Sequence, residues 1–427
     1  MKILIVNTTL HTGGASIAAG RLAKALQKAG HEVRLLTRRK GLLQCLQFVG
    51  ERLEDLYYNG FDYPHVFSID HGGYGTDITK LPDFGWADAV HLHWVNQAML
   101  SMDGLERLVC RCRETGKRLI WTLHDIWPAT GICHLPQGCT SWEKGCGDCP
   151  KLKCNGLTRL LPLCGRSGND LSRRIFQRKQ HIYRQGHITF VACSRYLADM
   201  VRRSPLMHGQ TVTDIANPID TTFFSPCSTP DEKEALRSAL SLPRGKTILL
   251  FVAYNVNDAN KGFGIFSQAV QSLIFRQPQL RESICVVAVG RNTTAHRKDF
   301  ACEMVPFEYV AVPATMRNIY RASDIFTMAS VMENLPNTIV EAKACGLPVV
   351  ATAVGGIRQM VREGTDGFLV PPAGSQAFRE ALEKAISYGF PVILKAAAGG
   401  GGRGMRRCDT PEEVKPAFEL VKSEAKK

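Results

Sequence analysis

Short apolar runs framed by turn residues recur along the chain. They fall at residues 3–6, 90–92, 119–123, 190–192, 247–252, 284–289 and 349–351. Runs this short and this continuous predict parallel strands buried on both faces. Between them, apolar residues return at helical spacing, as from Ile17 towards Lys28 and again around Ile339 and Val340. The chain opens as strand, glycine loop with Gly13 and Gly14, helix, then a turn at Gly30 and a second strand. That order is the entry to a Rossmann-like domain. A second such start lies at Thr247. The pattern therefore predicts an α/β protein with two Rossmann-like domains.

The opening loop is not G-x-G-x-x-G, and Thr37-Arg38-Arg39 stands where a dinucleotide site needs an acid. A dinucleotide cofactor is not expected. With 427 residues, the chain is long enough for two domains of ordinary size. It carries 53 basic and 39 acidic residues, a formal net charge of +14. Such a balance favours acidic partners: nucleotide-sugars or anionic lipid surfaces. No basic–aromatic pattern of a nucleic-acid binder accompanies it, so nucleic acid is not expected.

No apolar run approaches the roughly 18–20 residues of a membrane span. The first run is too short for a signal segment and leads straight into the glycine turn. The expectation is a cytoplasmic protein, placed at the inner face of a membrane if it meets lipid. Fifteen cysteines are then thiols or metal ligands before disulfides. The stretch from Leu42 to Tyr57 is amphipathic. Packing on the sheet is the expected role, and contact with a membrane surface the alternative.

One stretch organises the rest. Residues 330–350 read as loop, helix and buried strand, with Pro336 suited to a first helical turn and Gly346 then Pro348 ending the helix. Glu333 lies in the loop and Glu341 inside the helix, with seven residues between them. A helix N-terminus offers free N–H groups to a diphosphate. A carboxylate one turn further in can accept from a ribose diol, and one in the loop can reach sugar hydroxyls. Together they describe a nucleotide-sugar pocket.

This stretch resembles the E-x7-E signature of family 4 retaining glycosyltransferases of the GT-B fold. The flanks Ser330, Pro336, Ala342, Gly346, Pro348-Val349-Val350 and Gly355-Gly356 carry the resemblance as well. It implies two Rossmann-like domains facing a cleft: an N-terminal acceptor domain at 1–214 and a nucleotide-sugar domain at 215–387. It implies transfer of a sugar from a nucleotide-diphosphate donor to a saccharide or lipid-linked acceptor, with retention, in polysaccharide or cell-surface glycan synthesis. No cofactor is required. Lys261, at a helix start, resembles the family lysine that binds the diphosphate. Arg291 is a candidate substitute for an arginine the family often has before that lysine. Glu341 would hold the ribose, and Glu333 with Asn334 and Leu335 the sugar. The helix start at Asn337 would meet the diphosphate. From the other domain would come His124, at a strand end, and the Gly13–Gly14 loop. Gln359 stands where the family usually has an acid.

His91 and His93 alternate on one strand and so share a face; lining the cleft is expected of them before metal binding. An insert at 127–154 carries Cys133, Cys139, Cys146 and Cys149, and it resembles a cysteine-bearing subgroup of the same family. The last two, with their glycines, have zinc-knuckle spacing; the four are candidates for a structural zinc, with a disulfide and unliganded packing both open. Arg173, Arg174, Arg178, Lys179 and Arg184 fall on one basic helix, where a solvated face is the commoner meaning.

Past Ser387 the resemblance changes. Residues 388–406, with Lys395 and a run of glycines, look like the ATP-grasp motif of biotin and pyruvate carboxylases, in which backbone amides cradle phosphates. Residues 388–427 are therefore expected to be an ATP-grasp-like fragment joined to the transferase. Two other function classes follow: an ATP-grasp carboxylase or ligase fragment, and a non-catalytic binding protein of the GT-B fold.

Overall fold

The computed structural model describes residues 1–427 except 11–12, 39–40, 63–67, 153–169, 373, 388–391, 396–404 and 409–427. The chain divides into two compact units. The first is Met1–Thr222 together with Glu333–Asn337 and Gly355–Gln359; the second is the remainder.

The first unit is built on six parallel strands: β1 (Lys2–Val6), β2 (Glu32–Leu36), β3 (Ala89–Leu92), β4 (Arg118–Leu123), β5 (Thr189–Ala192) and β6 (Thr211–Asp214). Their order is β2-β1-β3-β4-β5-β6. All four residues of β3 are buried, as are the last four of β1. Burial on both faces is what their unbroken hydrophobicity required. The aromatic centre of this unit is Trp121 on β4, 1% exposed, with Phe190 of β5 at 5.8 Å and Trp127 at 6.2 Å between ring centroids.

The second unit repeats the plan. Its strands are β7 (Thr247–Asn255), β8 (Ile284–Arg291), β9 (Glu303–Phe307), β10 (Ile325–Met328), β11 (Val349–Thr352) and β12 (Gly367–Val370). They are parallel, in the order β12-β11-β10-β7-β8-β9. The helices Phe263–Arg276 and Ser375–Ser387 share one core, where Phe266 meets Phe251, Phe300 and Phe378. A separate antiparallel pair, β13 (Val392–Lys395) and β14 (Met405–Cys408), follows. The glycine run between those strands lies outside the described residues.

Two expectations are corrected. The helix Leu42–Tyr58 does not bury its apolar face: its buried residues are Glu51 and Asp55. The reason is a buried charge cluster. Arg52 Nη2 lies 2.6 Å from Asp55, 3.0 Å from Asp70 and 3.4 Å from Glu51, while His71 Nδ1 is 2.7 Å from Asp55 Oδ1. Burial, then the charge of Asp70, pushes the Glu51 carboxyl up to about 8. Burial alone would lower His71, but Asp55 holds it up at about 9.

The basic helix, Leu171–Arg184, is not a wholly solvated face either. Lys179 is 0% exposed and donates to the carbonyls of Trp127 (2.7 Å), Gly131 (2.9 Å) and Thr130 (3.0 Å). Its ammonium also sits 3.3 Å from the Trp127 ring centroid. Burial pulls its pKa down to about 7. With the Tyr183 and Ser204 hydroxyls, which donate to the carbonyls of Pro128 and Ala129, Lys179 fixes the loop that leaves β4. Lys179→Met would take a charged donor from three carbonyls, of which only that of Trp127 keeps another partner among the described residues, Thr130 N–H, and is expected to cost roughly 3 kcal/mol. Urea unfolding measures it, and a loss under about 1 kcal/mol would show the lysine to be dispensable.

Candidate functional site

In a doubly wound sheet, the ligand crevice forms where strand order reverses, at the carboxyl ends of the two strands concerned. In the first unit those strands are β1 and β3, and the loops that leave them are knitted together. Trp94 N–H donates to Asn7 Oδ1 at 2.9 Å, Thr8 N–H to the Trp94 carbonyl at 2.8 Å, and Thr8 Oγ1 to the Asn96 carbonyl at 2.8 Å. Asn7 also donates to Ser16 Oγ at 3.1 Å, fastening the start of the helix Gly14–Lys28. That helix begins three residues before the apolar pattern suggested. Gly13 caps it with φ 87°, a left-handed conformation that favours glycine. The Gly14 carbonyl accepts from Asn337 Nδ2 at 3.1 Å.

The strand-end histidines form a stack. His91 and His93 rings are 4.8 Å apart, His93 and His124 rings 5.2 Å apart, and His93 Nδ1 meets His124 Nε2 at 2.9 Å. His91 Nε2 meets Thr122 Oγ1 at 2.7 Å. Burial lowers the pKa of His91 and of His124 to about 4, and His93 falls well below its ordinary value. All three are neutral at pH 7, so each can donate from one ring nitrogen and accept at the other. His91 and His93 also line an apolar cavity of about 300 Å³ beside Ala18 and Leu22. Asp125, next in sequence to His124, is held below the usual carboxylate range: burial would raise it, but His134 at 2.8 Å, Trp127 N–H and Trp94 Nε1 outweigh burial.

Asn334 is a junction residue within the same unit. Its Nδ2 donates to the His124 carbonyl at 3.0 Å, and its Oδ1 accepts from Ser194 Oγ at 2.7 Å. Leu335 is 9% exposed. Gly355 and Gly356 press against this segment: a Cβ would lie 1.7 Å from the Glu333 carbonyl oxygen at the first and 2.1 Å from the Asn334 carbonyl oxygen at the second. These glycines are needed for close approach, which gives the Gly355-Gly356 pair its physical reason. Gln359, where an acid was awaited, accepts from Arg195 N–H at 2.9 Å, at the start of the helix Arg195–Arg202.

In the second unit, the order reverses between β7 and β10. The loop after β7 carries Lys261 in a short 3-10 turn, capped by Asp258 accepting from Asn260 N–H at 2.9 Å. Val331 N–H, just beyond β10, donates to the Asn260 carbonyl at 2.9 Å. Gly262 has φ 68°, and a Cβ there would stand 1.9 Å from the Ala329 carbonyl oxygen. The Lys261 loop is thus pressed onto the start of the segment that continues to Glu333. Glu341, on the helix Asn337–Ala344, is 6% exposed, and its Oε2 accepts from the Tyr320 hydroxyl at 2.9 Å. Arg291 ends β8 exposed, with its guanidinium over Tyr254 at 4.8 Å and Tyr309 at 5.9 Å. Sequence reasoning missed Asn7, Tyr320 and the Arg52 cluster; Asn7 and Tyr320 act through partners distant in the chain, and the cluster is closed by Asp70 and His71 from beyond the helix.

Cys133, Cys139, Cys146 and Cys149 line one hollow of about 20 Å³. All four are free thiols. Burial pushes Cys146 up to about 12 and Cys149 to about 11, and raises Cys133. Among the described residues no group of three or more His, Cys, Asp or Glu is arranged to hold a metal ion.

Residues 12–223 match the family model for Glycosyltransferase Family 4, and residues 246–388 the one for Glycosyl transferases group 1. The chain is a member of the family 4 glycosyltransferases. Residues 357–427 also match the model for the carbamoyl-phosphate synthase L chain, ATP binding domain, overlapping the previous match. Among curated relatives, D-inositol 3-phosphate glycosyltransferase of Corynebacterium urealyticum is 28% identical over 279 residues, 63% of this chain and 61% of that protein. The enzyme of the same name from Rhodococcus erythropolis is 30% identical over 167 residues, 37% of each chain. These matches span less than two thirds of either relative. Among solved structures, sucrose-phosphate synthase from Thermosynechococcus elongatus superposes with a TM-score of 0.57 at 16% identity, covering 90% of both chains. Anabaena HepE in complex with UDP-glucose superposes at 0.53 with 17% identity, again covering 90% of each. At such identity the likeness shows the fold, which is GT-B.

The histidine stack makes stability depend on pH. Between about 4 and the ordinary value of 6.5, the unfolded chain takes up protons that folded His91 and His124 refuse. Their contribution is therefore whole at pH 7 and is lost as pH falls through that window. The melting temperature is expected to drop from pH 7 to pH 5 and to drop less in His91→Asn. An unchanged melting temperature in the wild type would contradict the neutral stack.

Proposed function

We propose that this protein is a retaining hexosyltransferase, moving a sugar from a nucleotide-diphosphate donor to a saccharide or lipid-linked acceptor in polysaccharide or cell-surface glycan synthesis. The observation that carries the reading is the fastening of the Lys261 loop against the segment that runs on to Glu333, through Val331 N–H and the close approach at Gly262. A lysine on a loop so held brings a positive charge to the carboxyl end of a central strand, where a diphosphate is recognised. Family membership and the solved complexes of Anabaena HepE with UDP and with UDP-glucose support the donor class.

In this reading Lys261 and the helix start at Asn337 stabilise the departing diphosphate as charge grows on it. Stabilisation of developing charge by preset groups is usually the largest catalytic term. Glu341, oriented by Tyr320, accepts from the ribose hydroxyls. Glu333, with the backbone of Asn334 and Leu335, holds the sugar. Arg291 is a further donor-binding candidate. The first unit is the acceptor domain, with His124, Gly13 and Gly14 as its contributors. The acceptor hydroxyl attacks the anomeric carbon on the face from which the diphosphate leaves; a diphosphate oxygen takes its proton, so configuration is retained. No cofactor enters these steps.

A second reading has one observation behind it: the match of residues 357–427 to an ATP-binding domain. It makes that segment an ATP-grasp fragment.

Lys261→Ala is expected to cut transfer by about a hundredfold, the size of losing one charge-stabilising contact, and Glu341→Ala to cut it through the lost grip on the ribose. The measurement is release of nucleoside diphosphate from a panel of donors, with folding checked by circular dichroism. Equal rates in wild type and both variants would remove the site assignment. NMR of the product should show the anomeric configuration of the donor; inversion would contradict the mechanism.

A further inference from the structure

A polar hollow of about 420 Å³ lies within the first unit and shares no residue with the apolar cavity beside the histidines. Three helices and one loop wall it. Glu54 and Tyr58 come from the helix Leu42–Tyr58, and Asp103 from the start of the helix Met102–Thr115. Arg174 and Arg178 stand one turn apart on the helix Leu171–Arg184, and the loop runs from His71 to Tyr74. That loop is tied to the one that leaves β3: Gln97 N–H donates to Asp70 Oδ2 at 2.9 Å, and Met102 N–H to the Gly72 carbonyl at 2.8 Å. The hollow therefore stands near the carboxyl end of the sheet, where a doubly wound fold receives ligands.

The lining suits a saccharide. His71 is 7% exposed and has the rings of Tyr58 and Tyr74 at 5.8 and 6.4 Å. Asp55 takes its Nδ1. Its Nε2 is 3.0 Å from Glu54 Oε2 but has no aligned hydrogen-bond partner among the described residues. Gly73 leaves that nitrogen reachable, since a Cβ there would stand 2.4 Å from it. Glu54, half-exposed, accepts from the Tyr74 hydroxyl at 2.6 Å. Donors, carboxylate acceptors and phenol rings around one space serve both the hydroxyls of a sugar and the C–H faces between them. An apolar ligand would instead strip water from charged groups and give nothing back.

The charges narrow the kind of saccharide. Arg178 is met by Asp103 and by Glu106, and His71 by Asp55 and Glu54. Behind the wall, Asp55 and Asp70 face Arg52. Arg174 lines the hollow with no carboxylate against it among the described residues. Burial raises the pKa of the Tyr58 phenol and Arg174 opposes the rise, so the guanidinium and that ring share the space. An unmatched guanidinium takes a carboxylate through two parallel hydrogen bonds. A phosphate monoester fits less well, because it would set nearly two negative charges beside Glu54 and Asp103.

We propose that this hollow binds an acidic sugar of the acceptor, its carboxylate on Arg174 and its ring hydroxyls on His71, Glu54 and Tyr58. The proposal rests on the reading of the first unit as the acceptor domain. Its test uses no donor, so its failure would leave sugar transfer to be judged by diphosphate release.

The test is ligand-detected NMR titration of the full chain with methyl glucuronide, methyl glucoside and glucose 6-phosphate. Wild type should bind the glucuronide about tenfold more tightly than the other two, the size of one charge-assisted pair. Arg174→Gln should bring the glucuronide down to the glucoside level without moving the melting temperature, since the residue is exposed. Gly73→Ala, which fills the space at His71 Nε2, should weaken both sugars alike, with circular dichroism checking its fold. Wild type that binds none of the three, or that does not prefer the glucuronide, overturns the proposal. So does an Arg174→Gln protein that keeps the preference, or a folded Gly73→Ala protein that binds as wild type does.

Discussion

The second unit depends on how closely two backbone loops approach at its strand reversal. Gly262 lies against the Ala329 carbonyl with no room for a side chain, and Val331 N–H reaches the Asn260 carbonyl at 2.9 Å. These contacts convert two strand ends into one rigid platform. Lys261 lies in one of these loops, and the segment leading to Glu333 begins in the other. A long charged side chain has many rotamers to lose on binding an anion. A fixed loop removes the backbone share of that cost in advance, which is what preorganised charge stabilisation requires.

The first unit solves the same problem with side chains instead of a glycine contact. Asn7 and Thr8 bridge the β1 and β3 loops, and Asn334 bridges the His124 carbonyl to Ser194. Both use small amide or hydroxyl groups that donate and accept at once. The neutral histidine stack belongs to this network. Each ring there replaces water with another ring or a hydroxyl, so protonation is disfavoured.

Much of the fold was legible because parallel strands buried on both faces leave unbroken apolar runs. β8 and β11 could be read from Ile284 and Val349 onward for that reason. Glu333, Glu341 and Lys261 stood out as candidates because they sit on local punctuation: a proline at a helix start, a glycine before a helix. Tyr320 was not, since a hydroxyl that orients Glu341 from 21 positions away leaves no local pattern. The helix Leu42–Tyr58 shows a different limit. Periodicity tells that a helix has two faces, but which face turns inward was set by Asp70 and His71, remote in sequence, clamping its acids with Arg52. Lys179 misled in the same way, because its three carbonyl partners lie about fifty positions earlier.

Hydrogen–deuterium exchange with and without UDP tests the central claim most directly. If the platform receives the nucleotide diphosphate, peptides covering residues 258–263 and 330–341 gain protection on adding UDP, while β9 is unchanged. Exchange that is indifferent to UDP in both segments, or protection confined to other parts of the chain, would contradict the account.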